Sequence, residues 1–373
     1  MQTESSPVRP FSPFPTCAGA LRRIRSYRAS RATGAFLRLC FFALFLSLAG
    51  CGGGVAEEVL VLHTADAYGY FDDCGCRADS TGGLAKRAWV VDSLRRESDR
   101  PILLVDSGDF TGGESAYGAA LGRVMVEAMQ LMEYDAFTLG EWDFNQGPAY
   151  LRGIVTENPV AWVHTNYDVV GLEDLGSETL VLEKGGRRIG LLGLFNPTIL
   201  LNPAMRDSVI VEPDIVASAK RGIAELRAQD VDAIVVLSHL SYKGDRALAQ
   251  LVPGIDLIVS GHGGKTLQAP EQVVPGTWIM ASGDLGRFLG RAEIDFTQGE
   301  DGRTQVAAIE GGLIGMDPSI PNDPRLDPLF ARYEEEQKAL MRRELESMRG
   351  PEAILPPEPQ GDDESIRLEN PQS

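Results

Sequence analysis

Cysteine and histidine are both scarce in this chain, five and four among 373 residues. Cys17 and Cys40 lie in the N-terminal segment, which leaves Cys51, Cys74 and Cys76 beyond it. Three thiols, two of them one residue apart, exclude the disulfide framework that staples small secreted domains. Basic residues are also short, 35 against 53 acidic, for a net charge of −18. A surface of that sign repels polyanions, which excludes nucleic acid as a partner, and a phosphate-bearing ligand needs a local cation to approach. Aromatic residues make up 7%, and none of them marks out a clamp for a nucleoside base. The apolar run "LCFFALFLSLAGC" (39–51) is shorter than the about 20 residues that a membrane-spanning helix needs.

That run has a different reading. Arg9, Arg22, Arg23, Arg25, Arg28, Arg31 and Arg38 precede it against a single acid, Glu4. A basic region, a short apolar core and small residues before the cut make a secretory signal, residues 1–50. The ending "LAGC" resembles a bacterial lipobox, which implies cleavage before Cys51, diacylation of Cys51 and an exported, membrane-anchored protein on the periplasmic or outer-surface side. Gly52 in place of Asp resembles outer-membrane sorting. Residues 51–57 read as the tether from the lipid. Cleavage removes seven basic residues and one acidic residue, leaving 28 against 52 and a net charge of −24. At the other end, residues 319–350 hold a helix that Asp327 caps, with Pro328 in its first turn and Gly350 to stop it. Residues 351–373 are Pro-rich, acidic and poor in apolar residues, the composition of a disordered tail.

Between these ends, short apolar runs alternate with helical patterns. "VLVL" (59–62), "ILLV" (102–105), "AFTL" (136–139), "IGLLGL" (189–194), "AIVVL" (233–237) and "LIV" (257–259) are the strands. They are too continuously apolar for a half-exposed sheet, so both faces must be covered. Helices are expected at 83–96, 116–132 and 213–228. "VLEKGGRRIGLL" predicts a hairpin turning at Gly185-Gly186, and after Thr277 the pattern becomes antiparallel β. One α/β domain over 58–318 follows.

Five of these strands end on polar residues. His63-Thr64-Ala65-Asp66, Asp106-Ser107-Gly108-Asp109, Gly140-Glu141, Ser238-His239 and Ser260-Gly261-His262 each follow an apolar run. Asp, Ser and Gly are common wherever a strand stops, but five such ends in succession, two of them closing on His239 and His262 when the chain has only four histidines, need more than turn chemistry. Ligands of open α/β sheets bind outside the carboxyl ends of the strands. Asp66, Asp109, Glu141, His239 and His262 are therefore the candidate metal ligands, an oxygen and nitrogen set suited to Mn, Zn or Fe. His63 reads as a packed structural residue. His164 reads the same way, with a better chance of reaching the rim of the cleft.

The order of these blocks resembles the calcineurin-like metallophosphoesterases, and within them the N-terminal catalytic domain of bacterial 5′-nucleotidases. The blocks are "LVLHTADAYGY", "LLVDSGDFTGG", "DAFTLGEWDFN", "VVLSHL" and "DLIVSGHGG", with "GGLAKRA" similar to a further loop. The resemblance implies an α/β sandwich with two central mixed sheets flanked by helices, and phosphate-ester chemistry on a two-metal centre. Position by position it also implies losses. Tyr68 stands where the family has a metal-binding His, Glu141 replaces an Asn, Trp142 replaces the catalytic His, and Gly264 replaces the last His. Asp109, Glu141, His239 and His262 remain for one metal, with Asp109 and Glu141 as the catalytic pair. The other site, which would use Asp66, Asp109 and positions 68 and 264, is depleted. The expected cofactor is thus one divalent transition-metal ion, and the expected partner a small phosphorylated substrate.

Cys74 and Cys76 stand between the first strand and the Gly82-Gly83 loop. They are open to metal ligation, to a strained C-x-C disulfide or to an inert pair. Lys86, Arg87 and Trp142 are candidate cleft-side contacts. The leading reading is a lipid-anchored, metal-dependent hydrolase of phosphate esters. The alternatives are a non-catalytic binding relative, and thiol or sulfur chemistry at Cys74 and Cys76.

Overall fold

The continuously apolar strands divide their side chains between two layers. Val59 and Val61 of β1 (Glu58–Thr64) and Leu103 and Val105 of β2 (Ile102–Asp106) face inward. There they meet Ile189 and Leu191 of β7 (Arg187–Phe195), Val235 and Leu237 of β9 (Ala233–His239), and Leu257 and Val259 of β10 (Leu257–Ser260). The alternate residues face outward into helices. Leu60, Leu62 and Leu104 pack with Leu84 and Val91 of α1 (Leu84–Glu97) and with Met125 and Met129 of α2 (Ala116–Leu131). Leu192, Leu194, Ile234, Val236 and Ile258 pack with Ile223 and Leu226 of α4 (Ile215–Ala228) and Leu248 of α5 (Tyr242–Leu251). Period two on a strand buried on both faces accounts for this, since neither face has water to meet. The result is a helix–sheet–sheet–helix sandwich in a computed structural model that describes residues 58–71, 82–157, 160–199, 201 and 205–349.

The first sheet adds β3 (Ala136–Phe137), β4 (Ala161–Trp162), β13 (Phe288–Gln298) and β14 (Thr304–Gly315) to β1 and β2, in the order β14-β13-β1-β2-β3-β4. From β1 to β4 its strands are parallel, and β13 and β14 extend the other edge antiparallel. The second sheet adds β6 (Thr179–Lys184), β11 (Glu271–Val274) and β12 (Thr277–Met280), in the order β11-β12-β10-β9-β7-β6. In it β7, β9, β10 and β12 are parallel. β6 joins β7 through Gly185 and Gly186, both at positive φ as a type I′ turn requires. A small ribbon pairs β5 (Tyr167–Val169) with β8 (Val209–Val211).

The sequence reading needs four adjustments. The strand expected at 136–139 pairs only over Ala136–Phe137, because Thr138 and Leu139 already bend toward the strand ends, where the Leu139 N–H donates to the Tyr167 hydroxyl at 2.9 Å. β12 runs parallel to β10 and antiparallel only to β11. The final helix, α6 (Asp327–Arg349), buries Leu329 and Tyr333 in the core of the first helical layer. The helices α3 (Pro148–Glu157) and α5 and the strands β4, β5, β8 and β11 were not expected from the sequence; strands of two to four residues show little periodicity. The signal segment, Cys51, the tether, the Cys74–Cys76 pair and the tail lie outside the described residues.

His63 packs against Gly290, with both ring nitrogens buried and without a hydrogen-bond partner. Burial lowers its pKa to about 3. In the unfolded chain an ordinary histidine protonates below about pH 6.5, so the unfolded state binds the extra proton and stability falls as pH drops from there toward 3. Each pH unit in that window costs about 1.4 kcal/mol. Chemical denaturation of His63→Phe from pH 7 to 4 is expected to show this acid slope flattened by one proton. An unchanged slope would mean that His63 is not buried neutral.

Candidate metal centre

The parallel strands of both sheets deliver their last residues to one place. β2 is followed by Asp109, β3 by Glu141, β9 ends on His239 and β10 is followed by His262. Among the described residues these four bring a ligand atom each to within 4.8 Å of one another. His239 Nε2 lies 2.8 Å from Glu141 Oε2 and 3.3 Å from Asp109 Oδ2. His262 Nδ1 lies 3.0 Å from Glu141 Oε1. Asp109 and His239 are fully buried, while Glu141 and His262 keep some exposure, so the centre opens on their side.

Hydrogen bonding fixes what this cluster wants. His239 Nδ1 is 2.7 Å from the Ser107 carbonyl. A carbonyl only accepts, so Nδ1 carries the hydrogen. Nε2 then faces two carboxylates, so a positive charge, a proton or a metal ion, belongs between them. Asp109 Oδ2 and His262 Nδ1 are buried and make no well-aligned hydrogen bond, as befits atoms aimed at an ion. Burial opposes charge on His239, yet the Asp109 and Glu141 carboxylates outweigh it and raise its pKa well above the ordinary value. The Glu141 carboxylate raises His262 as well. Burial works to raise Glu141, but its bonds to His239 and His262 prevail and hold it below the usual carboxylate range. The field that draws protons to these imidazoles draws a metal cation equally, and the donor set of two carboxylates and two imidazoles fits a divalent transition metal.

Asp66 stands apart from this set. Its Oδ1 accepts from the His262 N–H at 2.9 Å and its Oδ2 from the Gly264 N–H at 2.8 Å. Both oxygens are spent on holding the 262–264 loop, and burial raises its pKa. The structure thus gives Asp66 a place in positioning His262 and does not bring it into the four-residue cluster. Lys86 and Arg87 are buried in the first turn of α1; Lys86 lines a pocket with Phe71, Phe330 and Glu334, and neither is among the four clustered residues. His164 packs on Trp162 with 4.4 Å between ring centroids and its Nδ1 facing the Tyr167 carbonyl, and is not part of the cluster.

Three supporting residues had no role assigned from the sequence. Asp143 Oδ2 accepts from the Asp109 N–H (2.7 Å) and the Gly140 N–H (2.9 Å), and its Oδ1 from the Thr111 N–H (2.9 Å). It ties the two carboxylate-bearing loops together, and burial followed by the Asp109 charge raises its pKa to about 7. Asp106 does similar work at the end of β2, accepting from Thr64 Oγ1 at 2.6 Å and the Gly108 N–H at 2.8 Å. Asp284 places its carboxylate where a side chain on Gly264 would begin, 2.6 Å from that Cβ position. The first two lie inside blocks already singled out, but nothing in their spacing separates a staple from a ligand.

Trp142 and Tyr68 pair with each other, ring centroids 5.1 Å apart. The Trp142 backbone N–H donates to Asp109 Oδ1 at 2.8 Å. So two of the three positions where this chain lacks a histidine that the resemblance implies carry an aromatic pair at the edge of the cluster.

A sandwich of two mixed sheets with this cluster at its strand ends defines a metallophosphoesterase class of protein. The calcineurin-like phosphoesterase family model matches residues 59–263, and the chain belongs to that family. The 5′-nucleotidase of Homo sapiens is 26% identical over 331 residues, 80% of this chain and 55% of that protein. The trifunctional nucleotide phosphoesterase protein YfkN of Bacillus subtilis is 24% identical over 317 residues, 75% of this chain and 21% of that protein. Among solved structures, a 5′-nucleotidase precursor from Thermus thermophilus superposes with a TM-score of 0.65 at 25% identity, covering 76% of this chain and 60% of that one. The chain spans about half the length of the curated 5′-nucleotidases it matches.

Gly140 is the tightest point of the centre. A Cβ there would overlap Asp109 Oδ1 and His239 Cε1. Gly140→Ala is expected to lower affinity for Mn²⁺ by about 10- to 100-fold, the size of effect that misplacing ligand support produces, with a fold still intact by circular dichroism. Calorimetric titration with Mn²⁺ measures it, and unchanged affinity would show that the four residues do not act together on an ion.

Proposed function

We propose that this chain is a metal-dependent hydrolase of phosphoric esters, working with one divalent transition-metal ion held by Asp109, Glu141, His239 and His262. The single observation that carries the reading is the convergence of these four side chains, one ligand atom from each within 4.8 Å of the others, with His239 Nε2 facing two carboxylates. Such an ion, when bound, polarises a phosphoryl oxygen and makes water nucleophilic at neutral pH. The protein's part is to build and aim the site. The Ser107 carbonyl orients His239, Asp66 holds the loop that carries His262, and Asp143 locks the Asp109 and Glu141 loops in register. The phosphoryl group enters on the open side, over Glu141 and His262. Its negative charge meets the ion locally, against an otherwise acidic surface. The similarity to 5′-nucleotidases supports a small phosphorylated substrate, and the whole-protein activity of those relatives is no more than a guide.

The second reading is a ligand-binding relative without turnover. The Tyr68–Trp142 pair favours it, since neither ring supplies what histidine would at those positions. One experiment separates the two. The purified chain is freed of metal, reloaded with Mn²⁺, Zn²⁺ or Fe²⁺, and assayed on a phosphate monoester and a diester. One ion per chain and metal-dependent turnover are expected, with Glu141→Ala and His239→Ala each reducing kcat/KM by at least about 100-fold. Turnover that the Glu141→Ala, His239→Ala double variant retains would refute the hydrolase reading, and metal binding without turnover would select the second.

The proposed location is the outer side of a bacterial membrane, through diacylated Cys51, with residues 51–57 as the tether. Labelled palmitate is expected in the mature protein and absent from Cys51→Ser. Equal labelling of both would remove the anchor.

A further inference from the structure

Trp142 is 40% exposed, the fraction of a large apolar ring left facing water beside the centre. Its place is set by three contacts. Its backbone N–H donates to Asp109 Oδ1, its carbonyl accepts from Thr111 Oγ1 at 3.1 Å, and its ring edge rests on Gly113. Tyr68 is fixed just as firmly, with its N–H donating to the Asp109 carbonyl at 2.7 Å and its backbone in the left-handed region at φ 51°. Both rings therefore hang from residues whose backbones are bonded to Asp109. They form a rigid, partly open aromatic surface at a set distance from the cluster. Surfaces of this kind bind planar rings by offset or tilted stacking.

The chemistry of this pair limits what can leave beside it. An indole N–H is a donor that does not ionise, so Trp142 gives no proton to a departing oxygen. A leaving group stable as an anion needs none. A ring joined to phosphorus through one oxygen also lies close to the reacting centre, as does Trp142, the residue directly after Glu141 and bonded through its backbone to Asp109, whereas a nucleoside base is held off by a ribose.

We propose that the centre takes aryl phosphate esters, with the aromatic leaving group stacked on Trp142 and Tyr68. The proposal rests on the reading of the cluster as a metal-dependent phosphoric ester site. In the step, the oxygen of a water molecule bonds to phosphorus and the bond from phosphorus to the bridging oxygen breaks. The electron pair leaves with the aryl oxide, and the water proton passes to solvent. Trp142 and Tyr68 bind and orient the ring, and they exclude water from one of its faces.

The test uses two non-hydrolysable probes, phenylphosphonate and methylphosphonate, titrated calorimetrically into the Mn²⁺-loaded chain. Phenylphosphonate is expected to bind at least about tenfold tighter, within the range that aromatic stacking supplies. That advantage disappears in Trp142→Ala and persists in Trp142→Phe, while Mn²⁺ affinity, measured on the same samples, reports that each variant is folded. In turnover, kcat/KM rises steeply with the acidity of the phenol released, and Trp142→His flattens that dependence. Equal affinity for the two phosphonates, or a phenyl advantage that survives Trp142→Ala, overturns the proposal and leaves the ester-hydrolase reading standing. Failure of the Mn²⁺-loaded chain to bind either phosphonate sinks both.

Discussion

Everything at this centre depends on the seating of one imidazole. His239 is fully buried, its Nδ1–H is committed to the Ser107 carbonyl, and its other nitrogen points between two carboxylates. Phe195 lies parallel to the ring, 6.2 Å between centroids and 5° between planes, which fixes the ring orientation from the apolar side. The carbonyl settles the tautomer, and the tautomer makes Nε2 a ligand. Carboxylates gathered this closely in a low dielectric are not stable without a compensating positive charge, a proton or a metal ion. The neighbouring loops are arranged to keep that demand from relaxing away.

The arrangement shows in the backbone. Asp66, Tyr68, Asp109 and His262 all adopt positive φ, a conformation that costs residues with a Cβ about 1–2 kcal/mol each. Four such residues sit at or beside the cluster, and each is held by hydrogen bonds from another segment. Asp66 restrains the His262 loop, Asp143 restrains the Asp109 loop, and the Tyr68 N–H is bound to the Asp109 carbonyl. The carboxylates divide into two kinds. Asp66, Asp106 and Asp143 spend their oxygens on backbone N–H groups or the Thr64 hydroxyl and build the shape, whereas Glu141 directs both of its oxygens at the imidazoles and Asp109 directs Oδ2, its Oδ1 taking the Trp142 N–H.

Family membership does not make this a copied site. Two of the positions that the resemblance assigns to histidines carry Tyr68 and Trp142, and these have found each other as an aromatic pair. At a third, Gly264, the missing side chain leaves room that the Asp284 carboxylate occupies. Where the resemblance implies further ligands, this chain carries an aromatic pair and a structural carboxylate beside the four-residue cluster.

The continuously apolar runs and the polar residues ending them were enough to name the parallel strands other than β4 and β12 and to point at Asp109, Glu141, His239 and His262, because local burial on both faces and the strand-end rule act through neighbouring residues alone. The same pattern gave Asp66 equal standing with Asp109, since both are acids a few residues past a buried strand. Only the packed structure separates them. Whether a carboxylate oxygen meets a backbone N–H from position 262 or an imidazole from position 239 depends on how loops from different strands, in two different sheets, lie against one another. Short elements such as β4 and β5, and the meeting of Tyr68 with Trp142 across 74 residues, were hidden for the same reason. Sequence carries the one-dimensional hydrophobic period, while the partner of each polar atom is set by contacts that no spacing along the chain encodes.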